Sequence, residues 1–153
     1  MSSLDSFSLR ILSELQRDAR QTIQQIAQRI GLTSTPCWNR VKDMERAGVI
    51  RGYTTLVDRD KVGLHLCVLA EINLSRHSDK SAHDFEQEVA LHPQITECYS
   101  TTGNADYIIK IVTADIKAYE AFLHKVIFKL PGVDHVRSSI VLREVKCDPR
   151  MPI

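Results

Sequence analysis

Apolar residues recur at helical spacing through the first third of the chain and at alternate positions in much of the remainder. Leu4, Ile11, Leu12 and Leu15, with Phe7 and Ser8 between them, paint one stripe and predict a helix over about residues 5–17. Asp5 is placed to cap it, and Leu4 and Leu9 stand at hydrophobic-staple spacing. Thr22 and Gln25 form a capping box that opens a second helix, whose inner stripe is Ile23, Ile26, Ala27 and Ile30 and whose stop is Gly31. After Leu32 alone, Thr33 can cap a third helix with Pro36 in its first turn, where a missing amide hydrogen is harmless. Cys37, Val41 and Met44 face inward, and Gly48 closes this helix. Two helices joined by so short a Gly-containing turn must cross steeply, as in a helix-turn-helix.

From Ile50 the period falls to two, and residues 50–57 form an extended exit towards the polar stretch Asp58–Lys61, a hinge or loop. Leu66–Leu74 alternates as a first strand, and a helix near residues 80–91 with Ala82, Phe85 and Val89 inward is stopped by His92-Pro93. Ile95–Thr102 and Tyr107–Thr113 are two strands around the turn Gly103-Asn104-Ala105-Asp106. Asp115 caps a helix with the stripe Ile116, Tyr119, Leu123, Val126, Ile127 and Leu130, and Pro131-Gly132 leads to a last strand, Val133–Val145. The order strand–helix–strand–strand–helix–strand is the ferredoxin-like split βαβ motif, an α+β fold with helices on one sheet face. The other face, bearing Leu69 and Tyr99, is expected to be covered by a partner subunit. The implied division is residues 1–52, a linker strand and hinge over 53–63, and a second domain over 64–153.

Charge sharpens this picture once it is split. The net charge is +1, but residues 1–52 carry eight Lys/Arg against five Asp/Glu, or +3, and the remainder twelve against fourteen, or −2. A basic front third suits a nucleic-acid face and equally suits a solvated helix surface. The N-terminal outer face of the third helix offers Ser34, Thr35, Trp38, Asn39 and Lys42, with Arg40 flanking. Hydroxyls and amides bond base edges or phosphates, Arg and Lys neutralise phosphates and read guanine, and a helix with such tips fits a major groove. A three-helix bundle that merely joins protomers shares the same periodicity, and Trp38 reads either as an edge-of-core side chain or as a base or sugar contact.

The four cysteines have no C-x-x-C pair and read as reduced, mostly buried thiols; no metal or other cofactor is expected. The six histidines, His65, His77, His83, His92, His124 and His135, fall at no spacing typical of zinc, and no nucleophile–base constellation stands out, so an enzyme is not expected. No run of about eighteen apolar residues and no signal peptide is visible, which places the expected location in the cytoplasm, away from a membrane.

The stretch TIQQIAQRIGLTSTPCWNRVKDMERAGVIRGYTTLVD, followed by TGNADYIIKIVTADIKAYEAFLHKVIFKLPGVDHVRSSIVLREVK, resembles the Lrp/AsnC (leucine-responsive, feast/famine) family of regulators. The Pro-Cys pair in the third helix, the AGVIRGY exit and the Gly-x-x-Asp-Tyr hairpin occur together and in order. The resemblance implies a winged helix-turn-helix joined by a strand to a ferredoxin-like domain, homodimers paired through their sheets and assembling to octamers, and binding of double-stranded promoter DNA under control of an amino acid or related metabolite. By position it implies Ser34, Thr35, Asn39, Arg40 and Lys42 as DNA contacts, and Thr101, Thr102, Gly103, Asn104, Asp106 and Tyr107 as effector contacts. An amino acid needs donors for its carboxylate and an acceptor for its ammonium; amides around Gly103 could supply the first and Asp106 the second. The same residues could simply make a turn, since turns favour Gly, Asn and Asp. Ala105 stands where related proteins vary, leaving effector identity open. Two other functions fit the pattern: an architectural DNA protein without effector, and an enzyme subunit like the haem-pathway decarboxylases that share the fold.

Overall fold

Asp5 starts the first helix as its charge and position suggest, its Oδ1 accepting the Ser8 amide at 2.8 Å. Helix α1 runs over Ser6–Arg17. The capping box of α2, Ile23–Ile30, is complete: Thr22 N–H donates to Gln25 Oε1 at 2.8 Å and Gln25 N–H to Thr22 Oγ1 at 3.2 Å. Gly31 then takes φ 76°, which lets the Leu32 amide return to the Ala27 carbonyl. Thr33 holds the N-cap position of α3, Ser34–Arg46, in extended conformation, although its hydroxyl makes no capping bond. Ile11, Ile26, Ala27, Ile30, Cys37, Val41 and Met44 close into one core. Residues 51–57 belong to no helix or strand and take no strand pairing among the described residues.

The computed structural model describes residues 4–75 and 79–153, with side chains from 82 onward in the second stretch. It divides into two compact units, Met1–Leu56 with Lys146–Ile153, and Val57–Val145. His77 lies outside the described residues.

The second unit is built from β1 (Leu66–Leu74), α4 (Asp79–Ala90), β2 (Ile95–Ser100), β3 (Tyr107–Thr113), α5 (Ile116–Lys125) and β4 (Val133–Ile140). The sheet order is β2-β3-β1-β4, antiparallel throughout, which is the ferredoxin-like arrangement the element order predicts. Val68, Ala70 and Ile72 from β1 and Ile109 and Ile111 from β3 meet Phe85, Tyr119, Phe122 and Ile127 in a second core. On the opposite face Leu69 is 42% and Tyr99 56% exposed. They share it with the pairs Lys110–Glu97, at 3.1 Å, and Arg137–Glu71, at 3.8 Å.

Three expectations need correction. Ile116, at the first position of α5, is 59% exposed, and the inner stripe is carried by Tyr119 and Phe122 instead. The stripe also does not run on one helix, because α5 ends at Lys125 and Ile127–Lys129 is a separate 3₁₀ turn. Strand β4 ends at Ile140, not Val145: the Val141 amide still bonds the Cys67 carbonyl, one residue from Leu66, where β1 begins. The remaining residues 146–153 group with the first unit. Of the cysteines, Cys37 and Cys67 are buried, whereas Cys98 on the sheet's edge strand and Cys147 are exposed.

Candidate DNA-binding and effector sites

The α2–α3 turn leaves the first two turns of α3 projecting. Ser34, Thr35, Trp38 and Asn39 are all exposed there, while Cys37 and Val41 on the reverse side hold the helix in the core. Trp38 is 49% exposed, so its ring is at the edge of the core rather than in it. Hydroxyls, a carboxamide and an indole N–H thus converge on one surface, and all can donate to base edges or phosphates.

The two cations predicted for this face are oriented differently. Arg40 turns back to α1: Nη1 bonds Asp5 Oδ2 at 2.5 Å and Ser8 Oγ at 3.2 Å, and its guanidinium carbon stands 5.7 Å from the centre of the Phe7 ring. Asp5 therefore serves α1 and α3 at once, and the Ser8 amide and hydroxyl, followed by Arg40, hold its carboxyl below the ordinary range. Ser8 is buried, and its signal in the sequence is a hydroxyl set within the apolar stripe of α1. Lys42 bonds Glu45 Oε2 at 2.7 Å, and Glu45 Oε1 accepts the Tyr53 hydroxyl at 3.0 Å. Lys42, then Tyr53, lowers the Glu45 pKa. A phosphate reaching Lys42 must compete with this carboxylate.

At the other candidate site, the β2–β3 hairpin is knotted to the end of β1. Thr101 N–H donates to the Asp106 carbonyl at 2.9 Å, and Thr101 Oγ1 to the Ala105 carbonyl at 2.7 Å. Asn73 Nδ2 donates to the Asn104 carbonyl at 2.6 Å. The Leu74 amide, where the β1–β4 register shifts, donates to Asp106 Oδ2 at 2.8 Å. The carboxylate expected to meet an ammonium thus already has one oxygen engaged with the backbone. Asn73 gives no signal in the sequence because its partner is 31 residues away. Gly103 has φ 122°, which demands glycine, while a Cβ there would meet nothing within 4 Å. Thr102, Gly103 and Asn104 are exposed, and among the described residues their amides have no acceptor in this chain.

Tyr107 does not join them. Its ring packs on Phe85 with centroids 4.7 Å apart, and its hydroxyl donates to Glu86 Oε1 at 2.7 Å. It faces a cleft of about 310 Å³ between α4 and β2 that also includes Ser100 and Cys98. Burial, then the Glu86 carboxylate, pushes the phenol from 10.0 up to about 12. The folded value is the raised one, so this contribution to stability is complete below about pH 10 and disappears as the pH rises through about 12. Alkaline titration followed by tyrosinate absorbance should show an ionisation near pH 12 that Tyr107→Phe removes; its loss near pH 10 instead would contradict the buried pairing.

Among the described residues no helix is long and apolar enough to cross a membrane, and no group of three or more His, Cys, Asp or Glu could hold a metal. Comparison with known proteins accounts for both units. Residues 4–51 match the family model for a winged helix-turn-helix DNA-binding domain, and residues 67–151 that for the Lrp/AsnC ligand-binding domain. The chain is 36% identical over 150 residues to the transcriptional regulator AzlB of Bacillus subtilis, covering 98% of this chain and 96% of that one. It is 37% identical over 150 residues to the leucine-responsive regulatory protein of Escherichia coli, covering 98% and 92%. A Neisseria meningitidis transcriptional regulator, solved as a complex with L-Met, superposes with a TM-score of 0.91 at 30% identity, covering 98% of this chain and 97% of that one. A basic helix-turn-helix followed by this ferredoxin-like ligand-binding domain over nearly the full length makes the chain a member of the Lrp/AsnC family of transcriptional regulators.

Proposed function

We propose that this regulator binds double-stranded promoter DNA through Ser34, Thr35, Trp38 and Asn39, and that an amino acid held at the Thr101–Asp106 hairpin sets its affinity. The observation that carries the second half is the hairpin itself: consecutive exposed amides at Thr102, Gly103 and Asn104 beside a fixed carboxylate. Amides suit a ligand carboxylate, and Asp106 Oδ1 suits its ammonium. The L-Met bound to the Neisseria regulator supports an amino acid as the ligand class. Lys42 joins the DNA face as a phosphate contact, whereas Arg40 supports it from behind. The open sheet face, with Leu69 and Tyr99, pairs two copies into a homodimer, and dimers assemble to an octamer. The protein acts in the cytoplasm as a binding protein rather than an enzyme.

Thermal-shift measurements against the twenty amino acids test this reading, because a ligand bound only by the folded state raises its midpoint. Asp106→Asn is the informative variant: it retains an oxygen for the Leu74 amide and removes the negative charge. It should weaken binding of the stabilising amino acid by roughly tenfold to hundredfold, the value of a charge-assisted bond of about 1.5–3 kcal/mol. The unliganded midpoint should change little. DNA binding with no response to any amino acid would leave an architectural protein instead.

A further inference from the structure

The last eight residues are ordered on a unit other than the one they emerge from. Strand β4 closes the second unit, yet Lys146–Ile153 belongs with the DNA-binding unit. There the tail makes a two-way pairing with α1: Gln16 Nε2 donates to the Met151 carbonyl at 3.1 Å, and the Met151 amide donates to Gln16 Oε1 at 2.5 Å. One carboxamide thus satisfies both main-chain groups of one residue, 135 positions along the chain.

The segment is shaped for this. Asp148 Oδ1 accepts the Arg150 amide at 3.1 Å and Arg150 Nε at 2.9 Å, and Oδ2 accepts Nη2 at 2.8 Å. The Ile153 amide closes onto the Met151 carbonyl at 3.0 Å. Pro149 and Pro152 bracket the paired residues and fix their own φ, so little backbone freedom is left to lose on docking. The tail, including Met151 and Ile153, borders an open groove with Leu12, Leu15 and Ile50 of the same unit.

From these contacts we infer that residues 146–153 are a strap, with Gln16 as its clasp, that restrains the DNA-binding unit through a second covalent connection. The chain crosses between the units twice, at residues 56–57 and at 145–146. A unit held by one connecting segment swivels about it; one held by two, the second clasped to α1, has fewer orientations open to it. Restraint of that kind lowers the ordering entropy a dimer must lose when two recognition helices engage successive half-sites.

Trp38 is the single tryptophan and is half-exposed on α3, so its fluorescence anisotropy decay reports motion of the DNA-binding unit without DNA or effector. Three full-length chains are compared at matched sedimentation behaviour. Gln16→Leu keeps the helix and loses both bonds; Gln16→Glu keeps the acceptor and sets a carboxylate against the Met151 carbonyl. A third chain, Asp148→Ala, leaves α1 untouched and loosens the tail's turn. Each should gain a faster decay component relative to the parent, on the nanosecond scale of unit reorientation. Decays that superpose on the parent in all three would overturn the strap, and would do so whether or not the protein responds to an amino acid.

Discussion

Replacing Phe85 by alanine should destabilise the ligand-binding unit by about 3–5 kcal/mol, the usual cost of emptying a buried aromatic site. Phe85 is fully buried in the core between α4 and the sheet, and its ring supports Tyr107 at the foot of the candidate hairpin. The expected damage is specific to one unit. Ile11, Ile26, Ile30 and Met44 make a separate core under the helix-turn-helix, and no residue belongs to both clusters. Denaturant unfolding at fixed protein concentration should therefore show the far-ultraviolet transition shifted to lower denaturant. The Trp38 fluorescence transition should stay close to its original midpoint. A shift worth less than about 1 kcal/mol would contradict close packing around this ring.

Asn39→Ala should weaken specific DNA binding by about 1–3 kcal/mol, roughly tenfold to hundredfold, if its carboxamide makes the bidentate adenine contact its position allows. Asn39 is exposed on the projecting part of α3, so its removal should leave the melting midpoint nearly unchanged. Titrations over a range of salt concentrations separate the roles on this face. Asn39→Ala should cut the preference for promoter over unrelated DNA and leave the salt slope alone. Lys42→Ala should weaken both kinds of DNA and flatten the slope by about one unit, as expected for one lost phosphate contact. Arg40→Ala should leave the slope intact, because that guanidinium is spent on Asp5 and Ser8. A flattened slope for Arg40→Ala, with the fold preserved, would return it to the phosphate contacts. Equal loss on promoter and unrelated DNA for Asn39→Ala would take it out of base recognition.

Local chemistry makes much of this protein readable from the chain alone. The Thr22–Gln25 box, Gly31, Pro36 and the Asp115 cap act over three or four residues, so their positions along the chain are enough to set helix starts and stops. Alternation in Leu66–Leu74 and Tyr107–Thr113 likewise sets which side chains share a sheet face, and the order of elements leaves few ways to pair them. What escapes is the pairing of individual side chains distant in sequence. Arg40 looks like a free cation until the packing of α3 on α1 brings Asp5 and Ser8 to it. Tyr107 adjoins the hairpin in sequence, but strand alternation sends its side chain to the face that α4 covers, where Glu86 receives it. Asp106 reads as an unoccupied carboxylate because nothing local shows that the Leu74 amide at the end of β1 donates to it. Residues 141–145 look like the end of the last strand, since they keep strand-like composition. Where β1 runs out of partners is a matter of register, and register, like the pairing of Gln16 with Met151, exists only once the chain has folded.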